Sequence, residues 1–159
     1  MKPGPTLSRA PRFNHVAMSL PADMLDADNR ARILEFYGDV FGFEEYPMLT
    51  EDRHIMVMGA HTPEQFVFLV SQDEPMHAHV HDHYGMSVAT KDDFDAVLER
   101  ASAWKAKLPD LVTLDGPMME NQHDAVHLHN FYVAYLLPLT IEIQWFDWKI
   151  DVNAFIDAS

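Results

Sequence analysis

The chain has no cysteine among its 159 residues. That absence removes disulfides, thiolate nucleophiles and thiolate ligands together, so a metal site has to be built from His, Asp or Glu. Basic residues are scarce as well, with 11 Lys plus Arg against 25 Asp plus Glu and a formal charge of −14. Such a field repels phosphate backbones and anionic headgroups, which argues against nucleic acid and membrane as partners. Long apolar runs are also missing. The longest, "FYVAYLLPLTIEI", is short, broken by Pro138 and rich in β-formers, and the opening "MKPGPTLSRAPRF" has no apolar signal core. Neither a membrane span nor an export signal is expected, and the expected location is cytoplasmic.

What is present is an ordinary globular composition, 48% hydrophobic and 11% aromatic, at a length that suits one domain with a sizeable core. Residues 1–12, with three prolines and a glycine, read as a flexible extension, and 149–159 as a C-terminal tail. Between them, 13–148 divides into two units, about 13–72 and 82–148. In the first, "FNHVAMSL" alternates as a strand and "DMLDADNR" reads as a loop. Ile33, Leu34, Phe36, Tyr37, Val40 and Phe41 then mark one helical face that Gly42 ends. Strands follow in "FEEYPML", "HIMVMGA" and "EQFVFLVSQ". The second unit repeats the order. "HYGMSVA" is a strand, "TKDDFDAVLERASAWKA" a helix capped from Thr90, and "LVTLDG", "AVHLHNFYVAY" and "LTIEIQWF" are strands. The predicted fold class is α+β: two β-α-β-β-β units forming a curled, partly open mixed sheet.

The units also match residue by residue, "NHVAMSLPA" against "DHYGMSVAT". Strand alternation puts His15, Ala17 and Ser19 on one face, and His83, Gly85 and Ser87 on the corresponding face of the second copy. A histidine beside small neighbours suits a cavity. A third ligand is available in "LTIEIQWF", where Glu142 lies on the polar face of an otherwise apolar strand. A carboxylate is expensive there unless it is paired or bound to metal. His15, His83 and Glu142 make a two-histidine, one-carboxylate facial set with open positions, suited to Fe(2+) and also able to hold Mn(2+), Ni(2+) or Zn(2+).

The span from Phe13 to Trp148 resembles the vicinal oxygen chelate superfamily of glyoxalases, fosfomycin and bleomycin resistance proteins and extradiol ring-cleaving dioxygenases. The resemblance rests on "FNHVAMSL", "LEFYGDVFGFEEY", "HYGMSV" and "IEIQWF". It implies two units around one metal held by His15, His83 and Glu142, a small-molecule substrate with vicinal oxygens, and a homodimer. Glyoxalase I types carry a further acidic ligand on the fourth strand. Matching Pro63 with Pro138 puts Val67 at the place of Glu142, which argues against a four-ligand lyase. The run "FYVAYLLPLTIE" is similar to the extradiol segment, in which Tyr132 would touch a catechol-type oxygen. The expected activity is therefore an Fe(2+) extradiol-type dioxygenase acting with O2 on a catechol-like aromatic. Two alternatives stand beside it: a glyoxalase-like lyase, isomerase or thiol transferase with another divalent metal, and a metal-free drug- or metabolite-binding protein.

An acid–base histidine would complete the dioxygenase set. Histidine titrates in the useful range, and His81 is chosen over His77, His127 and His129, the last two being turned away from Tyr132 by strand alternation. His77, His79 and His81 otherwise read as a solvated connector between the units. Met118, Met119 and His123 read as a mobile lid in "GPMMENQHDA", and Trp145 and Trp148 as core or subunit contacts.

Overall fold

The structure, a computed structural model, describes residues 12–152. Most of the extension and the end of the tail lie outside that range. In the first unit, β1 (His15–Leu20) leads through a short 3-10 turn (Ala22–Leu25) into α1 (Ala27–Phe41), followed by β2 (Glu44–Glu45), β3 (Ile55–Gly59) and β4 (Phe66–Ser71). The second unit runs β5 (His83–Ser87), α2 (Lys91–Lys107), β6 (Val112–Gln122), β7 (Val126–Tyr135) and β8 (Thr140–Trp148). The strands form two four-stranded mixed sheets, β1-β4-β3-β2 and β5-β8-β7-β6, instead of one continuous sheet. In each, the first strand pairs parallel with the last, and the helix makes the crossover that a parallel pair requires.

Local chemistry explains the helix ends. Asp26 accepts from the Asn29 amide at 2.9 Å and starts α1 inside the segment expected to be a loop, while Gly42, at φ 74°, closes the helix in the left-handed region. Thr90 accepts from the Asp93 amide at 3.1 Å and caps α2 as expected. Three expectations need correction. Only Glu44 and Glu45 of "FEEYPML" are strand, because Pro47 opens a 3-10 turn. The strand foreseen in "LVTLDG" continues to Gln122. Met118 and Met119 therefore belong to β6 and pair with Asn130 and His129, so they form no lid, and His123 sits in the turn that follows.

Both helices pack on the same side, and their aromatic contacts tie the units together. Phe36 of α1 lies 5.4 Å from Trp104 of α2 and 4.7 Å from Tyr135 of β7, centroid to centroid. The Tyr37 hydroxyl donates to the Tyr135 carbonyl at 3.0 Å, and Trp104 Nε1 donates to Asp39 Oδ2 at 2.7 Å. Phe36, Tyr37, Phe131, Ile141 and Ile143 are almost fully buried in this core. Burying each such side chain contributes roughly 1.5–3 kcal/mol. This clamp fixes where β1 stands relative to β5, and therefore where His15 stands relative to His83. No helix among the described residues is long and apolar enough to cross a membrane.

Candidate metal centre

The faces turned away from the helices carry the polar residues. On the second sheet, the register sets Gly85, Glu142, Tyr132 and Asp115 side by side, with Gln144, Asn130 and Met118 as the next row. Directly opposed residues in a ladder point to the same face. Sequence alternation had placed Tyr132 and Glu142 together, and the Leu136–Leu139 reversal delivers it: Leu136 takes φ 59° and the Leu137 amide donates to the Tyr135 carbonyl.

Glu142 is 6% exposed. Its Oε1 accepts from Asn130 Nδ2 at 2.7 Å and from the Tyr132 hydroxyl at 3.0 Å, and its Oε2 accepts from Gln144 Nε2 at 2.9 Å. All three donors are neutral. The carboxylate is thus oriented but not neutralised, and Oε2 faces His83 Nε2 at 3.4 Å. The other ring nitrogen of His83, Nδ1, lies 2.8 Å from the His81 carbonyl. A carbonyl only accepts, so Nδ1 carries the proton. In the neutral ring Nε2 then turns a lone pair toward a carboxylate oxygen, an arrangement that needs a proton or a metal cation between the two atoms. Two donors at roughly 2.0–2.2 Å from one ion can be as far as roughly 4.4 Å apart, so the pair fits a divalent ion. The carbonyl that fixes the ring is the outer-shell partner usual for a ligating histidine.

His15 stands apart from this pair. It hydrogen-bonds Asn14 through Nδ1 at 2.9 Å and stacks on Phe66, with ring centroids 4.9 Å apart. Among the described residues no three His, Asp or Glu side chains are close enough to share an ion. His15 and His83 nevertheless line one cleft of about 460 Å³ between the units, with Val16, Phe66 and Val67 on one wall and Tyr84, Gly85 and Met86 on the other. The His81 ring is exposed, and the backbone of that residue, not the imidazole, makes the observed contact with His83. His129 packs against Phe94 and Trp145 on the helical side, as alternation predicts.

Tyr132 meets His83 edge-on at 5.4 Å. Its phenol is pushed above the usual tyrosine range, first by burial, then by the hydrogen bond and charge of Glu142 and the charge of Glu120. It acts as a neutral donor. The equivalence of the two sheets corrects one expectation, because Gly85 opposes Glu142 as Ala17 opposes Phe68. The position matching Glu142 is therefore Phe68, one residue beyond Val67, and it is equally unable to ligate. Sequence reasoning missed Asn130 and Gln144. Both lay in plain alternation with Tyr132 and Glu142, and an amide on the face of a buried carboxylate was the available signal.

No family model matches the chain, and no curated protein matches it. Solved structures do. A possible glyoxalase from Bacillus cereus superposes with a TM-score of 0.53 at 20% identity, covering 86% of this chain and 100% of that one. The fosfomycin resistance protein FosX of Listeria monocytogenes gives 0.56 at 10% identity, covering 95% and 100%. An integron cassette protein from the Halifax Harbour sewage outfall metagenome gives 0.55 at 16%, covering 84% and 97%. The chain has the glyoxalase fold. The glyoxalase fold is the vicinal oxygen chelate architecture anticipated from the sequence motifs. None of these three structures is described as an extradiol dioxygenase, so the extradiol reading rests on the sequence motif alone. At such low identity the glyoxalase fold leaves the reaction to be argued from the site.

Proposed function

We propose that the protein is a metal-dependent enzyme acting on a small molecule with two adjacent oxygens, with His83 and Glu142 holding the metal. The observation that carries the proposal is His83 Nε2 standing 3.4 Å from Glu142 Oε2, with Nδ1 committed to the His81 carbonyl. His15, on the other wall of the same cleft, is the third ligand, its side chain turning from Asn14 and Phe66 to reach the ion. The ion would supply open coordination positions for vicinal oxygens and, as Fe(2+), for O2, and would lower the pKa of a substrate hydroxyl. Asn130 and Gln144 hold the carboxylate in place, and Tyr132 directs a neutral hydroxyl toward bound oxygens. His81 is the acid–base candidate, with its ring exposed two residues before His83.

Within this reading the reaction is an extradiol-type oxygenation of a catechol-like ring. The glyoxalase and fosfomycin resistance neighbours support a second reading, lyase or transferase chemistry with Mn(2+), Ni(2+) or Zn(2+). The separation of His15 from the other two donors supports a third, metal-free binding of a drug or metabolite. Elemental mass spectrometry on anaerobically purified, untagged protein separates them. About one iron per chain, lost in Glu142→Ala and His83→Ala and accompanied by oxygen uptake with catechols, is expected. Another metal with no oxygen use selects the second reading, and no metal even after Fe(2+) addition selects the third. A homodimer is part of the proposal and is read by sedimentation. Mixing His15→Ala with Glu142→Ala protein is expected to restore no site. Restoration would place the ligands on two chains.

A further inference from the structure

The second sheet continues beyond the ligand row, and its composition bears on what the site accepts. Past Glu142, Tyr132 and Asp115 comes the row Gln144, Asn130 and Met118, then Phe146, Leu128 and Glu120, then Trp148, Val126 and Gln122. Successive rows are two residues apart, about 6.6–6.8 Å along the strands. Phe146 and Trp148 stack at 6.1 Å with an interplanar angle of 14°, and Trp148 is 38% exposed. Leu128 and Val126 are buried but stand outside the main core cluster, so they form a separate apolar floor on this face.

The polar groups on the face are one-sided. The described strand residues of this face include the carboxylates of Asp115, Glu120 and Glu142 and no Lys or Arg. The buried side-chain atom on it that lacks a partner, Asn130 Oδ1, is an acceptor as well. A lone divalent ion at Glu142 would offset only the first row. Beyond it, the surface offers aromatic contact, hydrogen-bond acceptors and negative potential. An anionic ligand group would be repelled there and find no cation to pair with.

Building on the metal-enzyme reading above, we propose that Asp115 and Glu120 make the site charge-selective: the substrate carries its vicinal oxygens at one end and a neutral or, preferentially, cationic donor-bearing group about 7 Å further along the strands, over the Asn130 row between Asp115 and Glu120. Carboxylates, phosphates and phosphonates are disfavoured. Glu120 and Asp115 act as specificity residues, and Asn130 Oδ1 takes a donor from the substrate or from a water it carries.

The test is anaerobic calorimetry on the metal-loaded protein as purified, with three ligands of matched length: 4-(2-aminoethyl)catechol, 4-ethylcatechol and 3,4-dihydroxyphenylacetate. The amine is expected to bind on the order of tenfold more tightly than the acid, with the ethyl compound between, and Glu120→Gln with Asp115→Asn to bring the three within about twofold. Equal affinities, or the acid binding most tightly, overturn the proposal. A second measurement needs no catechol. Quenching of Trp148 fluorescence, taken as the difference from Trp148→Phe, is expected to be stronger with cesium than with iodide, and Glu120→Gln to narrow the ratio. If no catechol binds but the cesium preference and its loss in Glu120→Gln hold, the catechol reading fails and charge selection stands. Equal quenching by the two ions overturns charge selection whatever the catechols do.

Discussion

Asn130→Ala separates a residue that orients the carboxylate from one that merely fills space. Asn130 is 2% exposed, gives Nδ2 to Glu142 Oε1 at 2.7 Å and leaves Oδ1 without a partner. Truncation removes two contributions of opposite sign. The hydrogen bond to a charged acceptor contributes about 1.5–3 kcal/mol, and the unsatisfied buried carbonyl costs about 1–3 kcal/mol. These largely offset one another, leaving a cavity contribution on the order of 1 kcal/mol. The metal-free protein should therefore lose only about 1–2 kcal/mol in a urea melt run with chelator. Metal affinity should fall by about 10–100-fold, because the carboxylate is no longer held with Oε2 toward His83. Chelator competition reads that affinity directly. A stability loss above about 3 kcal/mol with metal affinity unchanged would refute the reasoning and make Asn130 an ordinary core residue.

Tyr132→Phe should leave stability within about 1.5 kcal/mol, since Asn130 still satisfies Glu142 Oε1, while turnover of the best catechol falls at least about tenfold; equal turnover removes Tyr132 from the site. Burial pushes the phenols of Tyr37 and Tyr84 well above the usual tyrosine range, with the charge of Tyr84 second for Tyr37. The folded state therefore keeps protons that the unfolded chain releases near pH 10, and stability, full below that pH, should decline above it by about 1.4 kcal/mol per pH unit for each tyrosine. Urea melts between pH 9 and 11 check the sign, and a flat profile would contradict it. Gly116 has φ 106°, and an added Cβ would lie 2.9 Å from Phe131 Cβ and 3.2 Å from the Asn130 carbonyl. Gly116→Ala should cost about 2–4 kcal/mol and weaken metal binding by moving β7, measured by thermal melts and chelator competition.

Much of this fold was readable because its signals are local. The repeat of His15, Ala17 and Ser19 in His83, Gly85 and Ser87 announced two units, and the caps at Thr90 and Gly42 set helix ends to within a residue. The missed elements depended on pairing. Nothing local in "GPMMENQ" announces a strand; it is one because β7 runs long enough to hold it, through the register shift between Asp115 and Met118. In the site, period-two alternation placed Tyr132 beside Glu142 and turned His129 away. It had no means of showing that the His81 carbonyl would hold the His83 ring, or that His15 would stack on Phe66, because both depend on where separate elements come to rest.

The two sheets share one plan and diverge in what they present. On the first, the row opened by His15 continues through Phe66, Gly59 and Glu44, and the next through Ala17, Phe68 and Val57. The Tyr46 ring crosses over Gly59, where an added Cβ would displace it. On the second, the position of Phe68 is occupied by Glu142 and that of Val57 by Tyr132. A fourth-strand carboxylate on each sheet would give a symmetric four-donor set around an ion. Phe68 breaks that symmetry, so the proposed set would have one carboxylate, one strand-opening histidine beside it and one across the cleft. In the proposed set, a single anionic ligand would leave positive charge on a divalent ion, with Phe66 on the facing wall of the cleft. Under the proposed function, that combination would draw an ionising vicinal diol to the centre, while the acidic residues beyond would sort the rest of the molecule by charge.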